Sequence, residues 1–241
     1  MREKLLECCK QLRLSSVLVE NAMTATGATH QEYLLQVLNA EIINRSTKRK
    51  NLHLKKAGFD SIKTFTGYDF EDITFPSDIT IDLLKQVEFM SRQENLILYG
   101  RNGAGKSHMA TAIGVAACMQ GKNVRFYKTA ALVNELVAAK ANGTLIHLLK
   151  KLSKLDLLIC DEWGYIPFDA EGSQLLFQVI ADCYEKRSLI ITTNIEFSRW
   201  NGIFYDDQLT SALIDRLVHH SHLIVFGRDS WRLRHSLMKQ N

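Results

Sequence analysis

The five cysteines of this 241-residue chain (Cys8, Cys9, Cys118, Cys160 and Cys183) form no C-x-x-C pair. Two of them sit inside apolar or helical runs, so they read as buried thiols of a reducing cytosol. No apolar run approaches the ~20 residues that a membrane span requires. Met1 to Glu7 mixes acids with bases and leads into amphipathic sequence, unlike a secretory signal. Internal repeats and low-complexity tracts are missing too, and the polar segments are too short and mixed for extended disorder. Neither sign of charge dominates: the formal charge is +4 and the pI is near 8.7. A nucleic-acid partner must therefore be argued from where the charge sits. What remains is a soluble, cytoplasmic globular protein with ample core material, 46% of its residues being hydrophobic.

The most informative stretch runs from Leu96 to Ser107. An apolar strand breaks into Gly100-Arg101-Asn102-Gly103-Ala104-Gly105-Lys106-Ser107, which is G-x-x-x-x-G-K-S. Glycines at these positions let consecutive N–H groups point inward at phosphates. Lys106 then reaches the terminal phosphates and Ser107 offers its oxygen to Mg²⁺. The residues after Lys106 are good helix formers, whose N-terminal dipole would face the anion.

Helical spacing dominates from Glu3 to about Gly58, as in Tyr33, Leu34, Val37, Leu38 and Ile42. Thr29 and Glu32 predict a capped helix start. A basic cluster follows (Arg45, Lys48, Arg49, Lys50, Lys55, Lys56 and Lys63), with Asp60 the one acid among it. It reads either as a phosphate-neutralising surface or as a solvated linker face. A linker is expected at about Thr64 to Pro76. Beyond it, strands are predicted at Asn95–Tyr99, Asn123–Tyr127, Leu155–Cys160, Leu189–Thr193 and His222–Phe226. Helices are predicted to begin near Lys106, Thr129, Ser173 and Gln208. Most of these strands are continuously apolar, the mark of a parallel sheet covered by helices on both faces. The expected organisation is a small all-α domain over 1–68, then an α/β P-loop NTPase domain over 69–241.

Three further features bear on chemistry. The strand Leu155–Cys160 ends in Asp161 and Glu162, the arrangement in which the first carboxylate holds Mg²⁺ through water and the second polarises the attacking water. Thr192-Thr193-Asn194 ends another apolar strand, where Asn194 is either a sensor beside the terminal phosphate or an ordinary turn residue. Arg216 lies on an apolar helix. It is either a finger that neutralises transition-state charge in a neighbouring subunit or a surface partner of Asp215. His219, His220 and His222 have no cysteine nearby and read as packing or surface residues rather than zinc ligands.

Together, Gly100–Ala110, Cys160–Pro167, Thr192-Thr193-Asn194 and Ala212–His220 resemble IstB, the helper ATPase of a group of bacterial insertion sequences, and the likeness covers essentially the whole chain. The resemblance implies an AAA+ ATPase, using ATP and Mg²⁺, that self-assembles on duplex DNA, bends it, and recruits or regulates the transposase encoded beside it. By this likeness Arg216 matches the finger, Asn194 the first sensor, and Lys106, Asp161 and Glu162 the catalytic core. It also favours the DNA reading of the basic cluster. Asn102-Gly103-Ala104 and Trp163 depart from the commoner pattern without removing a functional group. About fifteen residues follow the last strand, too few for a full C-terminal lid. Arg232 or Arg234 is a candidate second sensor, with a solvated basic tail the competing reading. Helicase loaders of the DnaC and DnaI type look similar through the ATPase half, and a small-molecule kinase is a third alternative.

Overall fold

The computed structural model describes residues 1–165, 168–204, 206–227 and 229–231. It divides into two compact units, Met1–Leu52 and His53–Asn241.

The first unit is helical, with α1 (Arg2–Gln11), α2 (Val17–Thr24) and most of α3 (His30–Ala57). Cys9, Val19 and Val37 are its buried apolar residues. Thr29 caps α3 as expected, accepting from the Glu32 N–H at 3.2 Å. Glu32 reaches back one residue further than a standard capping box, to the Ala28 N–H at 2.9 Å. The unit is stapled by Glu41, which is buried and accepts from the Ser15 N–H at 3.0 Å, the Ser15 hydroxyl and Arg45 Nε at 2.8 Å. Burial alone would raise the Glu41 carboxyl. The hydrogen bonds from Ser15 and Arg45 and the arginine charge outweigh it and hold the pKa at about 2.

The second unit carries the elements β1 (Ile73–Thr74), α4 (Ile81–Lys85), β2 (Asn95–Gly100), α5 (Lys106–Met119), β3 (Val124–Lys128), α6 (Thr129–Ala141), α7 (Leu145–Leu152), β4 (Leu157–Trp163), α8 (Ala170–Cys183), β5 (Ser188–Thr193), α9 (Asp207–His219) and β6 (Ser221–Phe226). The strands form one sheet in the order β1-β6-β2-β5-β4-β3. All neighbours are parallel except β1, which runs antiparallel to β6. Side-chain alternation divides the continuously apolar strands between two cores. Leu158, Cys160, Leu189 and Ile191 face α6, α8 and α9 through Leu132, Leu176 and Leu213. Leu157, Ile159 and Ile190 face α5 through Met109 and Ile113. At Gly114, α5 lies so near the sheet that a Cβ would come within 2.7 Å of Ile159 Cδ1. Among the described residues no helix is long and apolar enough to cross a membrane.

Two sequence expectations change. The stretch from Thr64 to Pro76 is not a free linker, because Phe65, Tyr68, Phe70, Ile73 and Phe75 pack against the β2–α5 core and Ile73–Thr74 adds a sixth strand. The compact helical unit also ends at Leu52 rather than near 68, since Leu54 and Phe59 pack on that same core. The basic cluster is thereby divided. Arg45, Lys48, Arg49 and Lys50 belong to the first unit, and Lys55, Lys56 and Lys63 to the second.

Candidate nucleotide site

The site grows from the C-terminal ends of β2, β4 and β5. The loop between β2 and α5 carries Gly100 to Ser107. Gly105, at φ +100°, is the N-cap of α5, a backbone state that any side chain would strain. Lys106 is buried, and its Nζ donates to the Gly100 carbonyl at 2.7 Å and to the Arg101 carbonyl at 2.8 Å. The ammonium is thus held against the first residues of the loop.

Sheet order decides how the acids arrive. β5 lies between β2 and β4, so contact between the loop and the acidic strand must cross the end of β5. Ser107 Oγ donates to Asp161 Oδ1 at 2.7 Å. From β5, Thr192 Oγ1 donates to the same oxygen at 2.5 Å and accepts the Glu162 N–H at 3.0 Å. Asp161 is 3% exposed. Its neighbour Cys160 is fully enclosed, and burial, then the nearby Cys183 and Asp161, push that thiol well up, so it stays uncharged beside the carboxylate.

Glu162 sits where β4 loses register with β5 between Cys160 and Trp163. Its φ is +58°, a conformation costing a non-glycine residue about 1–2 kcal/mol. Backbone strain of this kind concentrates at functional sites. The turn leaves the Glu162 carboxylate 43% exposed, 3.9 Å from Lys128 Nζ. Asn194, just past β5, lines a cleft of about 360 Å³ with Gly100, Arg101, Asn102 and Phe226.

The structure therefore brings Lys106, Ser107, Asp161 and Glu162 together and sets Asn194 beside the loop. Arg216 stands apart on α9. Its Nη1 donates to the Ala212 carbonyl at 3.3 Å, and its guanidinium lies 5.2 Å from the centre of the Phe177 ring on α8. Within the cationic cluster, Lys48, Arg49, Lys55, Lys56 and Lys63 are exposed and Lys50 is half-buried. Arg45 is committed to Glu41 and the Arg13 carbonyl. Arg232 and Arg234 lie outside the described residues.

Several site residues were not foreseen. Thr192 stands in the Thr192-Thr193-Asn194 run, but its role has no sequence signal, because it depends on β5 lying between β2 and β4. The Tyr68 hydroxyl donates to the Gly105 carbonyl at 3.1 Å, His108 Nε2 is 2.9 Å from the Thr64 carbonyl, and the Tyr165 hydroxyl donates to Asn102 Oδ1. Past β6, Arg101 pairs with Asp229 at 3.0 Å and the Trp231 N–H donates to the Gly103 carbonyl at 3.0 Å. The Tyr165 contact carried a sequence signal, Asp161-Glu162-x-Gly164-Tyr165. The others are tertiary contacts with no local signature.

Comparison with known proteins gives the family of the chain. A family model described as IstB-like ATP binding protein matches residues 9–239. The ATP-binding protein of insertion sequence IS5376 from Geobacillus stearothermophilus is 34% identical over 246 residues, covering 100% of this chain and 98% of that protein. Its counterpart from IS232 of Bacillus thuringiensis subsp. berliner is 36% identical over 211 residues, covering 87% and 84%. Among solved structures, the DnaC helicase loader superposes with a TM-score of 0.54 at 20% identity, covering 68% of this chain and 96% of that one. DnaA from Aquifex aeolicus bound to AMPPCP superposes at 0.52 and 19%, covering 61% and 45%. At such identities the two structures speak to the fold alone, a parallel sheet flanked by helices.

Proposed function

This chain belongs to the IstB-like ATP-binding proteins and is an insertion-sequence-associated ATPase, and from that premise we propose that it assembles on duplex DNA with ATP and regulates a partner transposase there. The observation that carries the ATPase half is the buried Asp161 carboxylate, held at once by the Ser107 and Thr192 hydroxyls. Ser107 and Asp161 offer hard oxygen donors side by side, a set that fits Mg²⁺ rather than a thiophilic metal. Bound there with the substrate, the ion would neutralise charge on the β- and γ-phosphate oxygens.

The residues divide the remaining work. Lys106 leaves its two carbonyl partners for the terminal phosphates. Asn194 orients the attacking water from the cleft beside the loop. Glu162 releases Lys128 and takes the proton from that water. Arg216 exchanges Phe177 for the nucleotide of an adjacent copy, so turnover depends on assembly. Lys48, Arg49, Lys50, Lys55, Lys56 and Lys63 meet phosphates of the duplex without reading bases.

The helicase-loader reading is supported by fold likeness at 20% identity. The transposition reading is favoured because the relatives above 30% identity carry insertion-sequence names. Replacing Glu162 by Gln tests it. ATP should still bind, hydrolysis should fall by about 10²–10⁴-fold, and the protein should stay on duplex DNA in a mobility-shift assay. Normal hydrolysis in that variant removes Glu162 as the base. Preference for single strands, with capture of a hexameric helicase instead of a transposase, moves the function to loading.

A further inference from the structure

The fold separates the three histidines near the end of α9. His222 turns both ring nitrogens to carboxylates, Nδ1 to Asp78 at 3.1 Å and Nε2 to Glu94 at 3.0 Å. His219 and His220 instead lie together, with ring centroids 4.6 Å apart. The turn from α8 to β5 brings Glu185 against them, and His220 Nε2 is 2.9 Å from Glu185 Oε1. One ligand atom from each of Glu185, His219 and His220 lies within 4.8 Å of the other two. The Tyr184 hydroxyl stands 3.0 Å from His219 Nδ1, the place of an outer partner that fixes a ring's tautomer and orientation. Glu185 adopts φ +53°, a left-handed state unfavourable for a residue with a Cβ.

We propose that Glu185, His219 and His220 form a surface site for a late first-row divalent ion, zinc foremost, with water completing the coordination. Two imidazoles and one carboxylate are a zinc donor set, whereas Mg²⁺ and Ca²⁺ select oxygen alone. Ligand atoms around a tetrahedral ion with bonds of 2.0–2.1 Å lie about 3.3 Å apart. The His220–Glu185 pair needs only a small opening to reach that separation, and the third ligand closes by rotation of an exposed side chain. The bound ion cross-links α9 to the α8–β5 turn one helical turn beyond Arg216, whose guanidinium already rests on α8 through Phe177.

The site does not depend on the ATPase reading, and its test uses neither nucleotide nor DNA. Full-length protein is titrated with Co²⁺, read by its visible ligand-field bands, and with Zn²⁺, read by calorimetry. Cys8 is replaced by Ser, because it is the exposed thiol and would compete. The expected result is one ion per chain, a raised melting temperature with Zn²⁺, and a loss of affinity of about tenfold or more in each of Glu185→Gln, His219→Gln and His220→Gln. The control His147→Gln, on α7, should bind normally. Circular dichroism establishes that each variant is folded. Absence of binding to the parent protein overturns the proposal, as does undiminished binding to folded His219→Gln and His220→Gln.

Discussion

Thr192 joins the two acids of the candidate nucleotide site through one hydroxyl, donating to Asp161 and accepting the Glu162 N–H. Valine at this position keeps the shape, removes the donor to Asp161 and leaves the Glu162 amide without its partner. Thr192→Val should therefore retain ATP affinity while kcat falls on the order of 10²-fold, the cost of ångström-scale misplacement of reacting groups. Thr192→Ser should recover most of the loss, and an equal fall in both variants would contradict a positioning role. Arg216 calls for a different comparison, because within one chain its guanidinium rests on Phe177 rather than on the phosphate loop. Arg216→Ala should bind ATP normally yet lose about 10³–10⁵ in assembly-stimulated turnover. Mixing it with a Lys106→Ala chain, which keeps the arginine but cannot use nucleotide, should restore part of the activity. No restoration in the mixture would place Arg216 outside the neighbour's site.

At the level of elements, the core strands were legible with ends within three residues, β4 running on to Trp163 past the expected Cys160, because burial on both faces writes most of them as continuous apolar runs. The helix starts at Lys106 and Thr129 were legible too, and α9 begins at Asp207, one residue before the expected Gln208. α8 begins at Ala170 rather than Ser173, since Asp169 caps it by accepting the Gly172 N–H at 2.7 Å. α7 was hidden by the Asn142-Gly143 break that separates it from α6. The aromatic residues from Phe65 to Phe75 sit among polar neighbours, so their packing on the sheet had no periodic signal. The Lys106–Ser107 and Asp161–Glu162 pairs were readable as motifs, but their meeting through Thr192 needed the strand order. The helical unit offers an element-scale prediction through Glu41. Its carboxyl is held at about 2 in the folded chain, below the ordinary carboxylate value of about 4.3. The unfolded chain therefore binds the proton more readily. Glu41 stabilises fully above the ordinary value, and its contribution is lost as pH falls from there toward about 2. Glu41→Gln should flatten that part of the acid-denaturation profile of α1–α3, followed by circular dichroism. An unchanged profile would remove the Ser15–Glu41–Arg45 staple from the unit's stability.

For the whole molecule, the net charge of +4 is too small to hold DNA by bulk attraction, so the duplex binding proposed above rests on local cations. Neutralising Z phosphates makes log K fall against log salt with a slope of about −0.9Z. Cations that meet phosphate should therefore be separable from those that serve the fold. Lys48 and Arg49 are exposed. Replacing either by Ala should weaken duplex binding on all sequences alike and reduce the slope by about 1, with the melting temperature unchanged. Arg45 holds Glu41 and the Arg13 carbonyl, so Arg45→Ala should lower the melting temperature of the helical unit, with the slope moving little. These titrations belong in the Glu162→Gln background, where on the proposed mechanism hydrolysis should not release the assembly during measurement. Equal slopes for the parent, Lys48→Ala and Arg49→Ala would take the DNA surface away from this part of α3. A reduced slope in Arg45→Ala with normal melting would show that the ion pair with Glu41 yields to phosphate when duplex is bound.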